Sequence, residues 1–269
     1  METMIRKSMR IFAAGMLAAI LASIAVLGTL PEARADETDA KNLFKAMSDY
    51  LAAQSAISFA YDVNYEVVTG DKQKLALAAS GTVTLNRPDK IHATRSAGFA
   101  DVEMLFDGKT LTLFGKNANL YSQVEVPGTI DHLVDELRDK YNKPLPGADL
   151  LLSNVNDALM ANVVDVKDLG SGVIGGVECD YLAFRTEEVD WQIWIAQGDR
   201  PYPCQYVITT KLVDMAPQYS LRISDWKTGN DAAADDFGFK NPTNAAKVEP
   251  KELKDSNDIP QHFVTGAAQ

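Results

Sequence analysis

From Ile57 the chain alternates with a period of two. Ile57, Phe59, Tyr61, Val63, Tyr65 and Val67 are apolar or aromatic, and Ser58, Ala60, Asp62, Asn64 and Glu66 separate them. Successive side chains of a strand point to opposite faces, so this run reads as a long strand with one face on a core and the other toward water. Gly70-Asp71 turns the chain into a second alternating run, with Leu75, Leu77, Val83 and Leu85 on one face, and Asn86-Arg87-Pro88-Asp89 ends it. Shorter strands are predicted over 90–96, 99–106, 110–115 and 119–126, with Asp107-Gly108 as a tight hairpin turn. Further β-like runs follow at 163–169, 173–185, 189–196, 204–211 and 218–227, and a last one near Phe237 and Phe239. Roughly a dozen strands without β-α alternation predict a mainly β chain with a few helices (α+β), built on one large antiparallel sheet. A sheet that wide should curl.

Three segments break the period. Ala40, Leu43, Phe44, Met47, Tyr50 and Leu51 recur at helical spacing behind Thr38 and Asp39, which can cap a first turn. Ile130, Leu133, Val134, Leu137 and Tyr141 do the same behind Thr129. The stretch from Pro144 to Met160 is different, because two prolines and a glycine forbid a long helix while Leu145, Leu150, Leu151, Leu152, Val155, Leu159 and Met160 demand burial. With the helix over 130–141 it is expected to cover the apolar face of the sheet and to control access to it.

The amino terminus carries Arg6, Lys7 and Arg10, then an uncharged run from Ile11 to Pro31, then Ala33-Arg34-Ala35 before a polar segment. This is the pattern of a secretory signal peptide cleaved after Ala35; an uncleaved anchor is the alternative reading of the same apolar run. No cysteine lies near the cleavage point, so a periplasmic protein without a lipid anchor is expected, with no integral membrane segment after cleavage. The expected organisation is a signal peptide over 1–35, one domain over 36–240, and a polar, mostly irregular tail over 241–269. Cleavage removes four basic residues (Arg6, Lys7, Arg10, Arg34) and two acidic ones (Glu2, Glu32), taking the net charge from −11 to −13. So acidic an exterior repels phosphate, and no nucleic-acid partner is expected.

Motifs for chemistry are sparse. Gly170-Ser171-Gly172-Val173-Ile174-Gly175 matches G-x-G-x-x-G, but the helix that a dinucleotide site needs is missing, and a glycine-rich hairpin turn is the better reading. His92, His132 and His262 make no pair at metal-ligand spacing, and Cys179 and Cys204 are not a C-x-x-C. No catalytic residue, metal or cofactor is assigned. An oxidising compartment permits a Cys179–Cys204 disulfide, but in a plain meander a third strand would hold their Cα atoms roughly 9–10 Å apart. A disulfide needs less than about 7 Å, so a bridge or two buried thiols both remain open.

The stretch CDYLAFRTEEVDWQIWI, Cys179 to Ile195, concentrates acids, aromatics and a thiol. Thr186-Glu187-Glu188 turns it into a hairpin, with Leu182 and Phe184 on one face of the first strand and Trp191, Ile193 and Ile195 on one face of the second. That describes a sheet wall with an apolar inner side rather than a catalytic cluster. Phe59, Tyr61, Val63, Tyr65, Leu182, Phe184, Trp191 and Ile193 are accordingly the expected apolar lining. Leu145, Leu150, Leu151, Leu152, Leu159 and Met160 are the expected cover.

That hairpin, together with FDGKTLTLF (Phe106 to Phe114), LYSQVEVPGTIDHLVDELRDKYNKPLPGADLL (Leu120 to Leu151) and PYPCQYVIT (Pro201 to Thr209), resembles domain-of-unknown-function family 2092, a family of predicted periplasmic proteins. The family looks similar in turn to the lipoprotein carrier LolA and the mycobacterial lipid-binding LppX proteins. The resemblance implies an unclosed half-barrel with helices over an apolar cavity, and a lipid or other apolar small molecule as ligand. It carries over no catalytic residue. The competing expectations are an interaction or sensor module that binds a peptide, an envelope protein or a lipoprotein, and, more remotely, a hydrolytic enzyme. The first prediction is that the mature protein begins at Asp36 and is released by opening the outer membrane; amino-terminal sequencing that finds Met1 on a membrane-bound product would contradict it.

Overall fold

The computed structural model describes residues 37–98, 100–141, 145–232 and 235–253. The expected signal peptide and Pro144 lie outside the described residues, as does the tail beyond Leu253. Helix α1 (Glu37–Ala52) leads into strands β1 (Ala56–Val68), β2 (Lys74–Asn86), β3 (Lys90–Ala97), β4 (Asp101–Phe106), β5 (Thr110–Gly115) and β6 (Leu120–Glu125). Helix α2 (Ile130–Asp139), a 3-10 turn (Ala148–Leu151) and helix α3 (Val155–Met160) follow. The second set of strands is β7 (Asp165–Ile174), β8 (Val177–Arg185), β9 (Val189–Ala196), β10 (Pro203–Thr210) and β11 (Gln218–Thr228), with a two-residue β12 (Ala246–Lys247).

All twelve strands join one sheet in the order β12-β6-β5-β4-β3-β2-β1-β11-β10-β9-β8-β7. Its two end strands do not pair, so it is unclosed. The two meanders meet where β11 returns to pair with β1, placing the most regular strand of the sequence at the centre. A bulge near Phe59 accommodates Asp225, whose φ of 53° departs from strand geometry.

Odd residues of β1 face the helices, and α1 fills one half of that inner face. Phe44 is fully buried, 5.2 Å from the ring of Phe184 and 5.3 Å from that of Trp191. Phe184 and Trp191 stack at 3.9 Å, and Tyr206 meets Trp191 edge-on at 5.9 Å. Helix α3 packs beside α1, with the Asn156 backbone N–H donating to the buried Ser48 hydroxyl at 2.9 Å. Offset and edge-to-face rings of this kind add to the burial of their area, so β7–β10 and α1 form a filled core.

Local chemistry explains most boundaries. The Thr129 hydroxyl caps α2 by accepting from the His132 N–H at 3.2 Å. Gly175 and Gly176 supply the φ values of +59° and +87° of a two-residue turn between β7 and β8. The turn is therefore later than the sequence suggested, and Val173 and Ile174 belong to β7. That strand runs through Gly170 and Gly172 by a bulge between Asp168 and Ser171, and the missing side chain of Gly172 makes room for Trp194.

The segment around Phe237 and Phe239 forms no strand, contrary to its alternation. It lies on the outer face instead, where the Phe239 ring packs on Phe114 and Tyr121 at 5.6 and 4.8 Å. His92 on β3 fastens it there: its Nδ1 lies 2.5 Å from an Asp235 oxygen and its Nε2 2.6 Å from a Glu103 oxygen. The chain then adds β12 in parallel to the edge of β6 and ends its described course in a 3-10 turn over Pro250–Glu252. Replacing Phe44 by Ala should cost about 3–5 kcal/mol in urea unfolding, the usual penalty for emptying a sealed aromatic site; a loss below about 1 kcal/mol would show that α1 does not hold this half of the sheet.

Candidate functional site

The other half of the inner face is not filled. Cross-strand pairing arranges it in rows. The first row is Leu85, Ile91, Phe106 and Leu111, all fully or almost fully buried. The next is Phe59, Val83, Ala93, Met104, Leu113 and Ser122, and the third contains Tyr61, Gly81, Arg95 and Val102. Burial falls from the first row to the third, where Tyr61, Arg95 and Val102 are only half-buried. Above these rows, Leu137 of α2, Tyr141 just beyond it and residues 145–151 form a roof. Sheet and roof enclose a cavity of about 680 Å³.

The roof is tied down at its far end. The Arg87 guanidinium donates to the Leu152 carbonyl at 3.3 Å, and Asp131 accepts from the Ser153 backbone N–H at 3.0 Å and from its hydroxyl. Burial lowers the Arg87 pKa, and the Asp131 charge opposes that shift. Within the roof, burial raises the Asp149 pKa above the ordinary carboxylate value, and Arg138 only partly offsets it. Beneath, burial raises the Tyr206 phenol, with the Asp149 charge as a further cause.

On the sheet side, Tyr61 lies across Gly81 and donates to the Thr94 carbonyl at 2.8 Å. A Cβ at Gly81 would stand 1.9 Å from that carbonyl oxygen and 2.7 Å from the Tyr61 hydroxyl, so this crossing requires glycine. Arg95 stands over the Tyr65 ring, 5.4 Å from its centroid, a cation–π distance.

Of the residues expected as lining, Phe59 and Tyr61 border the cavity. Val63 is buried, and Tyr65 is half-buried under Arg95. Leu182, Phe184, Trp191 and Ile193 lie in the filled core beneath α1, away from the cavity, because α1 covers that part of the sheet. Of the expected cover, Leu145, Leu150 and Leu151 border the cavity, with Leu145 still 41% exposed. Leu152 is buried, and Leu159 and Met160 pack on the same core from α3. Lining that was not read from the sequence includes Arg95, Met104 and Leu113, then Tyr219, Leu221, Ile223 and Trp226 of β11, and, from the C-terminal segment, Pro250 and Lys251. The alternation Ile91, Ala93, Arg95 was the available signal for a cation on the apolar face of β3.

Cys179 and Cys204 are both buried as free thiols in a small cluster of their own with Ala196. The pairing of β10 with β9 is irregular between Pro203 and Gln205, at Cys204. Burial raises both thiol pKa values. Among the described residues no group of three or more His, Cys, Asp or Glu is placed to hold a metal ion. No helix among them is long and apolar enough to cross a membrane.

Comparison with known sequences gives one family match, which spans residues 40–250. The chain belongs to the DUF2092 family of predicted periplasmic proteins. Among curated proteins none matches it. Solved structures similar to this DUF2092 protein include the lipoprotein LppX of Mycobacterium tuberculosis, at 13% identity and a TM-score of 0.37 over 73% of this chain and 100% of that one. LprF from Mycobacterium bovis is similar at 12% identity and a TM-score of 0.42, over 73% and 98%. MucB of Pseudomonas aeruginosa, solved with MucA, is similar at 14% identity and a TM-score of 0.43, over 75% of this chain and 61% of that one.

The half-buried Asp149 carboxylate in the roof makes stability depend on pH. Its folded pKa is raised, so the stability it allows is fully present below the ordinary carboxylate pKa and is lost as pH rises through the folded value. Asp149→Asn should therefore raise the melting temperature at pH 7, with the gain shrinking as pH falls and gone by about pH 4. A gain independent of pH, or a loss at pH 7, would contradict this assignment.

Proposed function

We propose that the protein binds a lipid or other apolar ligand between the inner face of β1–β6 with β11 and the roof, and serves in the periplasm as its carrier or binding protein. The observation that supports this most is the cavity itself. At about 680 Å³ it falls in the range of roughly 300–1,000 Å³ typical of small-molecule sites, and its lining is mostly aliphatic and aromatic. A folded domain gains by filling such space with side chains, as α1 does in the other half, so an apolar void of this size suits a ligand.

Access is governed by residues 145–151, which form a short broken-backbone segment rather than a helix docked along its length. This segment can leave the sheet without breaking a strand ladder. Leu151→Ser should alter the rate of uptake with the fold retained. The reading rests on no catalytic residue.

The test combines extraction with blockage. Mass spectrometry of an organic extract of the purified protein should show a co-purifying apolar compound near one per chain, and the delipidated protein should take up a fluorescent apolar probe. Met104→Trp, which puts a larger ring into the cavity, should abolish uptake and leave the circular dichroism spectrum unchanged. Failure of the wild-type protein to take up any apolar probe would overturn the proposal, and specific capture of a peptide instead would favour an interaction module.

A further inference from the structure

We propose that in the oxidising periplasm Cys179 and Cys204 are joined by an intramolecular disulfide, which clamps β8 to β10 across the end of β9 and holds the cavity wall at Pro203. The bridge rests on observations that do not involve the ligand.

Placement is the first. Cys179 lies directly opposite Ala196 on β9, and the Ala196 N–H donates at 2.9 Å to the carbonyl of Tyr202, two residues ahead of Cys204. Ala196 thus stands between the two cysteines in the sheet, and its methyl group leaves room above it for both thiols. Regular pairing would hold the cysteines too far apart for a bridge, but the register of β10 on β9 shifts at Cys204 and departs from that spacing. The result is contact. Cys179, Ala196 and Cys204 form one buried cluster, and the two thiols hydrogen-bond to each other.

The state of the thiols is the second. The chain has two cysteines, both in this cluster and at 0% and 2% exposure. Each has the other as its one possible partner within the chain, and burial keeps both from a second copy. Their remaining contacts are long: the Cys179 thiol donates to the Val177 carbonyl at 3.4 Å and the Cys204 thiol to the Tyr202 carbonyl at 4.0 Å. Because burial raises both thiol pKa values, thiolate is scarce in the folded sheet. The bridge is therefore made while β8–β10 assemble, and once made it is shielded from reductants.

The compartment is the third. The family is one of predicted periplasmic proteins, and the periplasm is kept oxidising by disulfide-bearing thiol oxidases. The thiolate of one cysteine attacks the oxidant's disulfide and displaces one of its sulfurs. The thiolate of the other then attacks the mixed disulfide, closing the Cys179–Cys204 bond and releasing the second sulfur. The two cysteines lose two protons and two electrons, and the oxidant leaves as a dithiol.

The position of the bridge gives it a role. Pro203, next to Cys204, lines the cavity, and Tyr202 stacks at 5.2 Å on Trp226, another lining residue. The bridge holds this part of the wall and closes a loop of roughly 25 residues, which removes freedom from the unfolded chain.

The experiment takes the protein from the periplasm into acid, unfolds it without reductant, treats it with a maleimide and digests it. The expected result is no labelled cysteine and one cross-linked pair of peptides containing Cys179 and Cys204, which reduction separates. Labelling of both cysteines, or a bridge to another molecule, would overturn the proposal. The clamp is read by melting. Dithiothreitol should lower the wild-type melting temperature by roughly 5–10 °C and leave that of the Cys179→Ala/Cys204→Ala variant unchanged. No shift in the wild type, or an equal shift in the variant, would overturn the clamp. The labelling uses wild-type protein alone, so it decides the bridge even if the double variant does not fold.

Discussion

The structure depends on the covering of one apolar sheet face. Twelve strands that do not close leave an inner face much wider than a single helix can shield, and water cannot be left on it at a gain of roughly 25 cal/mol for each Å² of apolar surface removed. The chain uses different elements for the two halves. Over β7–β10 the cover is α1, whose Phe44 interlocks with Phe184 and Trp191 and leaves no room. Over β1–β6 it is α2 and a segment kept from being a helix by its prolines and glycine, and that cover stands off the sheet far enough to leave a cavity. The division into a filled half and a hollow half follows from which element reaches which strands.

Gly81 shows how the hollow half keeps its floor. Without a side chain there, the Tyr61 ring can lie flat across β2 and bind the backbone of β3, which flattens the surface beside Arg95. Large residues on that row would project into the cavity, and here the large ring is laid sideways. β3 carries Arg95 on its inner side, at the border of the cavity, and on its outer side the histidine that fastens the C-terminal segment. β3 thus joins the cavity to the segment that delivers Lys251.

Much of the fold was legible because alternation is a local property. Every strand from β1 to β11 lies within a few residues of a run read from period two, and Thr129 marked its helix start. The site was less legible for a physical reason. Alternation tells which side chains share a face but not what covers them, so the row of Leu182, Phe184, Trp191 and Ile193 looked the same as the row of Phe59 and Tyr61. Only the path of α1 distinguishes them, and that path is fixed by tertiary packing of Phe44 and Met47. Phe237 and Phe239 failed as a strand because their burial comes from packing on Phe114 and Tyr121 rather than from a ladder. Lys251 was out of reach for sequence reading, since two residues of parallel pairing leave no periodic trace.

The central claim is that one half of the sheet holds the ligand and the other is closed by α1. The three tryptophans allow it to be measured directly, because Trp226 borders the cavity and Trp191 is sealed under Phe44. Two variants with a single tryptophan, one keeping Trp226 and one keeping Trp191, would be titrated with a brominated fatty acid, whose bromine quenches indole emission on contact. The account predicts strong saturable quenching of Trp226 and none of Trp191. Quenching of Trp191, or equal quenching of both, would contradict it.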